Sequence, residues 1–135
     1  MKTLSIIIPL YNKQAVITKT LDSIVEKCLD QNINYEVIIV ENESTDNSFS
    51  ITQKYIANLK NTSLIQSKKG LGNAIKKGIS MATYDYVAFI PADFTFGESE
   101  LKYFNSKNTV LSDYSIGSRA HIGKFPKDSL FSNEQ

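Results

Sequence analysis

The stretch YEVIIVENESTDNS, residues 35–48, contains the pattern that decides the fold. Its first part, Tyr35–Val40, is a largely apolar run, which predicts a strand buried on both faces of a sheet. The polar residues 41–48 that follow predict a turn, and either Ser44 or Asp46 is a candidate N-cap for a helix after it. A buried strand, a polar turn and a helix in this order are the repeating unit of an α/β domain.

Further strands and helices alternate on both sides of this stretch. Apolar runs predict strands at Leu4–Leu10, Thr62–Gln66, Tyr84–Ile90 and Thr109–Ile116. Apolar residues at helical spacing predict amphipathic helices between the first four strands, and a short helix is predicted at Glu98–Phe104. We therefore expect right-handed βαβ units in a Rossmann-like three-layer α/β/α sandwich with a mainly parallel sheet.

Composition excludes several classes of protein. The 135 residues are enough for one domain with a hydrophobic core, and a formal charge of +1 argues against a dedicated nucleic-acid-binding protein. A single cysteine, Cys28, is interpreted as a small hydrophobic residue on a helix, and it allows no internal disulfide. The N-terminus lacks a signal-peptide cleavage pattern, and no window approaches the roughly 18 apolar residues of a membrane span. We expect a cytoplasmic domain, either free or at the cytoplasmic face of the membrane.

The polar loops that follow the strands are the expected place for a binding site, because ligands of parallel sheets bind outside the carboxyl ends of the strands. These loops are residues 9–13, 41–46, 68–73, 91–95 and 117–119. Together they carry amide donors, carboxylates and cations. That combination suits a nucleoside diphosphate bound with a divalent cation.

Four motifs along the chain carry a resemblance to a known family. They are IIIPLYNK (6–13), EVIIVENESTDNS (36–48), GLGNAIKKGISMATYDYVAFIPAD (70–93) and DYSIGSR (113–119). In this order and spacing, from about Leu4 to Arg119, the chain resembles a family 2 glycosyltransferase of the GT-A fold. The resemblance implies transfer of a sugar from a nucleotide-sugar donor, usually a UDP-sugar, with Mg²⁺ or Mn²⁺. It also implies that residues 1–119 are the nucleotide-sugar-binding catalytic core, and that residues 120–135 are an irregular tail at the start of an acceptor region.

The resemblance implies a set of nucleotide-binding residues: Pro9, Tyr11, Asn12, Glu41, Asn42, Lys69, Gly70, Gly72 and Ala92. Tyr11 is expected to pack against the nucleobase. Glu41 and Asn42 stand where the family has an acidic pair, of which one residue hydrogen-bonds the base and the other supports the loop. Because an amide both donates and accepts, asparagine in place of the second acid leaves the preference for uracil open. The glycines allow the backbone at the start of the third helix to approach a phosphate closely.

Asp93 and Thr95 are the predicted metal ligands, and Asp93 matches the last acid of the family's Asp-x-Asp motif. Pro91 stands in place of the first acid, which leaves open the alternative that the chain is a non-catalytic nucleotide-sugar-binding module. One aspartate is sufficient in principle, because Mg²⁺ is often held by one or two carboxylates together with substrate phosphates. Arg119, predicted with Asp93 to be catalytic, is expected to bind the donor diphosphate or an acceptor phosphate.

The acceptor is constrained by the lack of a convincing general base, since Asp113 lies in a predicted strand and Asp128 and Glu134 lie in the tail. The base either lies beyond Gln135 or is not needed, as with a lipid phosphate whose oxygen is already ionised. The resemblance extends to the polyprenyl-phosphate branch, which favours a lipid-phosphate acceptor over a glycan acceptor, and either acceptor implies inversion. Membrane association through segments outside this chain and a homo-oligomer stay open as alternatives, whereas no nucleic-acid partner is expected.

Overall fold

A mixed sheet forms the centre of the protein, of which the computed structural model describes residues 3–93, 115–116 and 121–124. Within these residues the strands follow the order β3-β2-β1-β4-β6-β5. Their bounds are β1 Thr3–Leu10, β2 Asn34–Glu41, β3 Thr62–Gln66, β4 Tyr86–Phe89, β5 Ser115–Ile116 and β6 His121–Lys124. Pairing among β1 to β4 is parallel, whereas β6 runs antiparallel to both β4 and β5. The prediction of a mainly parallel sheet is confirmed.

Helices cover both faces of this sheet, and their bounds are α1 Ile17–Asp30, α2 Ser48–Ile56 and α3 Leu71–Met81. Side chains of α1 and α2 pack in one core with Ile6 and Ile8 of β1, whereas α3 packs in a second core with Ile7. Successive strand residues point to opposite faces, so the two cores lie on opposite sides of the sheet. The three-layer α/β/α sandwich is therefore confirmed. Among the residues that the structure describes, no helix combines the length and apolarity needed to cross a bilayer.

The cysteine of α1, Cys28, belongs to the first core and is completely buried. Burial raises the pKa of its thiol to about 12, because the apolar surroundings disfavour the thiolate. The interpretation of Cys28 as a small hydrophobic residue is confirmed.

A carboxylate at the amino ends of the strands ties β1 and β2 to the α3–β4 connection. Glu36 of β2 accepts hydrogen bonds from the Ser5 hydroxyl at 2.5 Å, the Thr83 backbone at 2.7 Å and the Thr83 hydroxyl at 2.9 Å. The Tyr84 backbone N–H donates in turn to the Ser5 hydroxyl at 3.2 Å. Glu36 therefore fixes the backbone just before β4. The apolar pattern around Glu36 in the sequence did not indicate this role.

The hydrogen bonds at the start of α2 show which of the two candidate N-caps, Ser44 or Asp46, contacts the helix. Asp46 accepts a hydrogen bond from the Ser48 backbone N–H at 2.9 Å, whereas the Ser44 hydroxyl accepts one from the Asn12 backbone N–H at 3.0 Å. Asn47 occupies the N-cap position itself and makes no side-chain capping bond. Asp46 is therefore the candidate that serves the helix, while Ser44 links two loops.

The chain after Gly117 differs from its prediction. An irregular segment was expected there, but His121–Lys124 forms β6, so that expectation is wrong for these residues. This segment has no apolar pattern of its own. Its extended form comes from pairing with the neighbouring β4. The fifth predicted strand is observed at Ser115–Ile116, and its predicted residues 109–114 lie outside the described residues, as does the predicted helix at Glu98–Phe104.

Two glycines of α3 provide a matched test of its packing against β1. A Cβ at Gly78 would overlap the side chain of Ile7, whereas nothing lies within 4 Å of a Cβ built at Gly72. We expect Gly78→Ala to lower the free energy of unfolding by about 1–3 kcal/mol, because β1 is too tightly packed to yield. Gly72→Ala should raise it by about 0.5–1 kcal/mol through helix propensity alone.

Urea denaturation followed by far-UV circular dichroism measures both changes. Equal stabilisation by the two alanines would contradict the close packing of α3 on Ile7.

Candidate functional site

The loops after β1, β2 and β3 begin side by side. Parallel pairing places Leu10 opposite Glu41, and Glu41 opposite Gln66, so the carboxyl ends of these strands are level with one another. Strand β4 lies on the other side of β1 and is parallel to it. Pro9, a predicted site residue, is the penultimate residue of β1 and directly precedes the first loop. Four of the five loops predicted to carry the site therefore leave the same side of the sheet.

Asn12 joins the first two loops. Its side-chain oxygen accepts the backbone N–H of Thr45 at 2.7 Å and that of Asp46 at 3.2 Å, and its side-chain nitrogen donates to the Thr45 hydroxyl at 3.1 Å. Its own backbone has φ +50°, a conformation that asparagine tolerates better than most residues. The amide of Asn12, predicted to bind the nucleotide, is therefore engaged within the protein and positions the second loop.

Asp46 strengthens the same junction. Its carboxylate accepts backbone N–H groups of Ser48 at 2.9 Å and of Gln14 at 3.3 Å, while Gln14 accepts the Asn47 backbone N–H at 2.9 Å. Burial alone would raise the pKa of Asp46, but the hydrogen bonds from the Ser48 side chain and backbone, from Gln14 and from its own backbone lower that pKa below its ordinary value.

The two residues that replace the family's acidic pair have different surroundings. Glu41 is buried, and its two carboxylate oxygens accept the backbone N–H groups of Glu43 at 3.1 Å and Ser44 at 2.9 Å. Asn42 is also buried, and its side-chain oxygen accepts the Ser67 hydroxyl at 3.4 Å. Glu41 thus supports the second loop, whereas Asn42 links that loop to the start of the third.

The third loop reaches the first through Tyr11. The ammonium of Lys69 lies 5.1 Å from the centre of the Tyr11 ring, a distance typical of a cation–π contact. The backbone N–H of Lys69 also donates to the carboxylate of Glu43 at 2.6 Å. Gly70 then starts α3 with φ +122°, where a side chain would be strained, and Gly72 lies in the first turn. The structure therefore brings the predicted residues Tyr11, Lys69 and Gly70 to one place.

A cavity of about 570 Å³ adjoins this junction, and its lining consists of Glu41, Glu43, Ser44, Phe49, Gln66 and Ser67. Among these residues Glu41 alone had been predicted to belong to the site. Glu43 lies in the second of the loops predicted to carry the site but was not singled out, and Ser67, directly after β3, falls just before the third of those loops. The rule that selected the loops therefore leads to Glu43 and to the neighbour of Ser67, whereas Phe49 is the second residue of α2 and carried no such signal.

Asp93 ends the described part of the fourth loop. Its side chain is 42% exposed, and its carboxylate lies 3.9 Å from the ammonium of Lys13, which is equally exposed. The preceding residue, Ala92, is buried, and its carbonyl accepts the Thr20 hydroxyl of α1 at 2.6 Å. Any contact between Ala92 and a ligand would thus have to be made by its backbone, whereas the carboxylate of Asp93 is accessible from solvent.

The donor set for a metal is small in the part of the chain that the structure describes. No group of three or more histidine, cysteine, aspartate or glutamate side chains converges within these residues. Thr95 and Arg119 lie outside them, so their predicted roles stay predictions. One accessible carboxylate fits a Mg²⁺ or Mn²⁺ ion that takes its other ligands from a diphosphate and from water. The residues present therefore fit a metal that arrives with its nucleotide.

Residues 5–124 match the family model described as glycosyl transferase family 2. The chain belongs to glycosyltransferase family 2. It is 31% identical over 133 residues to a poly(ribitol-phosphate) beta-glucosyltransferase of Bacillus spizizenii, covering 95% of this chain and 21% of that protein. It is 30% identical over 135 residues to a dolichyl-phosphate beta-glucosyltransferase of Dictyostelium discoideum, covering 88% of this chain and 40% of that protein. The chain thus spans less than half the length of these family 2 relatives.

Solved structures of glycosyltransferases share the fold. The Staphylococcus aureus TarS 1–349 structure, in complex with UDP-GlcNAc, superposes with a TM-score of 0.63 at 30% identity, over 76% of this chain and 29% of that one. A Pyrobaculum calidifontis mannosyltransferase in complex with GDP-Man and Mn²⁺ superposes with a TM-score of 0.73 at 16% identity, over 97% of this chain and 46% of that one. The predicted GT-A fold is confirmed.

The hydrogen bonds to Asp46 lead to a pH dependence of stability. Because the pKa of Asp46 is lowered in the folded state, its stabilisation is fully present above the unfolded value of about 3.9 and is lost as pH falls through the lower folded value. We expect the difference in free energy of unfolding between wild type and Asp46→Asn to shrink between about pH 6 and about pH 2.5.

Urea denaturation at the two pH values measures this difference. Asp22→Asn, at an exposed position of α1, controls for removal of a negative charge. A difference for Asp46→Asn that does not change with pH would contradict the proposed stabilisation of its carboxylate.

Proposed function

We propose that the chain is the donor-binding core of an inverting glycosyltransferase, which transfers a sugar from a UDP-sugar to a lipid-phosphate or glycan acceptor. The observation that carries this proposal is the meeting of the first four loops at the carboxyl ends of β1 to β4, with the accessible carboxylate of Asp93 among them. The family supports the transfer of a sugar. The complex of the 30% identical TarS with UDP-GlcNAc supports a UDP-sugar as the donor.

In this proposal the first three loops bind the nucleoside. Tyr11 offers a ring for the base, with the ammonium of Lys69 beside it. Asn42 offers an amide to the edge of the base, since Glu41 is engaged by its own loop. Gly70, which has no side chain, lets the donor phosphates approach the backbone at the start of α3.

Asp93 holds the divalent cation together with the donor diphosphate, and Thr95 offers it a hydroxyl. When bound, Mg²⁺ or Mn²⁺ neutralises the negative charge that develops on the leaving diphosphate. Arg119 binds the same diphosphate or the acceptor phosphate through its guanidinium. A single displacement at the anomeric carbon follows from this arrangement, because no residue is assigned to a covalent intermediate, and it inverts the configuration.

A phosphate-bearing acceptor fits both relatives, since one acts on dolichyl phosphate and the other on poly(ribitol phosphate) by name. A lipid phosphate needs no general base, because its oxygen is ionised at neutral pH. That property favours the lipid phosphate, since neither the described residues nor the sequence suggests a base.

A nucleotide-sugar-binding module without catalysis is the second candidate. Pro91, which replaces an acid of the metal motif, favours it. Release of sugar from a UDP-sugar, or its transfer to a polyprenyl phosphate, separates the two candidates, because a binding module performs neither reaction.

The metal assignment is tested by titrating UDP with and without Mn²⁺. We expect Asp93→Ala to lower the Mn²⁺-dependent affinity for UDP by at least about tenfold, or ~1.4 kcal/mol, because the metal loses its protein carboxylate. Asp85→Ala is the matched control, since Asp85 is exposed and directly precedes β4 at the opposite end of the strand. An unchanged affinity in Asp93→Ala would refute the assignment.

The role of Arg119 is tested with two ligands that differ in their phosphates. We expect Arg119→Ala to weaken UDP by several times more than uridine, because a guanidinium interacts strongly with phosphate oxygens. Isothermal titration calorimetry with each ligand measures the two losses. Equal losses would show that Arg119 does not contact the diphosphate.

A further inference from the structure

Lys13 is a cation that the family resemblance did not assign to the site. It follows β1, and Asp93 follows β4, so the two residues leave neighbouring parallel strands. The Lys13 ammonium and the Asp93 carboxylate are 3.9 Å apart, and both side chains are 42% exposed. The cation therefore stands beside the one carboxylate that is assigned to the metal.

The main chain of Lys13 is held on both sides. Its backbone N–H donates to the Ser48 hydroxyl at 2.8 Å. Its carbonyl accepts the backbone N–H groups of Val16 at 3.1 Å and Ile17 at 3.0 Å, at the start of α1. Asp93 is tied to the same helix, because the carbonyl of Ala92 accepts the Thr20 hydroxyl. The ammonium can thus exchange one anionic partner for another by side-chain rotation, without a change of the backbone.

The net charge around Asp93 is less negative than that of a metal site with two acidic residues. Pro91 removes one carboxylate, and Lys13 balances the other, so Asp93 and Lys13 together carry no net charge. A free divalent cation that approaches Asp93 meets repulsion from the ammonium and competes with it for the carboxylate. A diphosphate attracts both cations, so its arrival gives Lys13 a new partner and releases Asp93 to the metal.

We propose that Lys13 competes with the divalent cation for Asp93 in the free protein and binds the donor diphosphate in the complex. This inference rests on the proposed donor site. Its consequence is coupling: the metal favours the diphosphate and the diphosphate favours the metal by the same factor, because the diphosphate draws Lys13 away from Asp93 and a metal on Asp93 frees Lys13 for the diphosphate. Lys69 does not share this role, since its ammonium lies over the ring of Tyr11.

Replacing Lys13 by methionine tests the inference, because methionine keeps the length of the side chain and removes its charge. We expect Lys13→Met to bind Mn²⁺ alone at least about threefold more tightly and UDP without metal at least about fivefold more weakly. Uridine affinity should not change. Lys19→Met is the matched control, since Lys19 is exposed on α1 and makes the same change of charge. Lys13→Arg should restore both affinities toward wild type.

Electron paramagnetic resonance of free Mn²⁺ and calorimetry with UDP measure these affinities without any turnover. Mn²⁺ and UDP affinities in Lys13→Met that equal those of Lys19→Met would overturn the inference while leaving the donor site intact, provided that Asp93→Ala still loses metal-dependent binding. Weaker UDP binding without tighter Mn²⁺ binding would also overturn it, because Lys13 would then not compete for Asp93. A wild-type protein that binds neither UDP nor Mn²⁺ would refute the proposed function and this inference together.

Discussion

The hydrogen bonds of Asn12 are the constraint on which the site depends. One side-chain oxygen accepts two backbone N–H groups of the second loop, so the loops after β1 and β2 are joined directly. Tyr11 and Lys13 flank Asn12 in sequence, and their positions are set by the same contacts. The bonds between Lys13 and Ser48 and between Gln14 and Asp46 extend the junction to the start of α2. A ligand that meets these loops thus finds a surface already organised, which lowers the entropy lost on binding.

The layers of the fold were predictable because burial on both faces leaves a clear mark on the sequence. The apolar run Leu4–Leu10 corresponds to β1 at Thr3–Leu10, and the helical spacing of apolar residues corresponds to three helices. The short strand His121–Lys124 was not predictable, since four residues that include a glycine and two basic side chains have no apolar pattern. Its extended form comes from pairing with β4, a partner more than thirty positions away. The hydrogen bonds of Glu36 to Ser5 and Thr83 could not be predicted for a similar reason, since these partners come from distant segments.

For the site, the sequence indicated loops that the structure brings to one side of the sheet, but it did not indicate which contacts each side chain makes. Asn12 and Glu41 are polar residues at or just after the ends of strands. The side-chain oxygens of both accept backbone N–H groups of the second loop. Whether a polar side chain faces a ligand or its own loop depends on local φ and ψ angles, which a residue type does not specify. Lys13 was passed over because only the tertiary structure brings its ammonium to Asp93. The positive φ of Gly70 explains why a glycine stands at the start of α3, whereas its predicted contact with a phosphate stays a prediction.

The antiparallel strand β6 has a consequence for how much of the chain is needed to keep Asp93 in place. Strand β4, which leads to Asp93, has β1 on one side and β6 on the other. A protein cut before His121 would leave the backbone N–H and C=O groups on that flank of β4 without partners, a surface prone to pairing between molecules. The short strand thus covers this edge of β4, and a protein that extends through Lys124 keeps the edge paired.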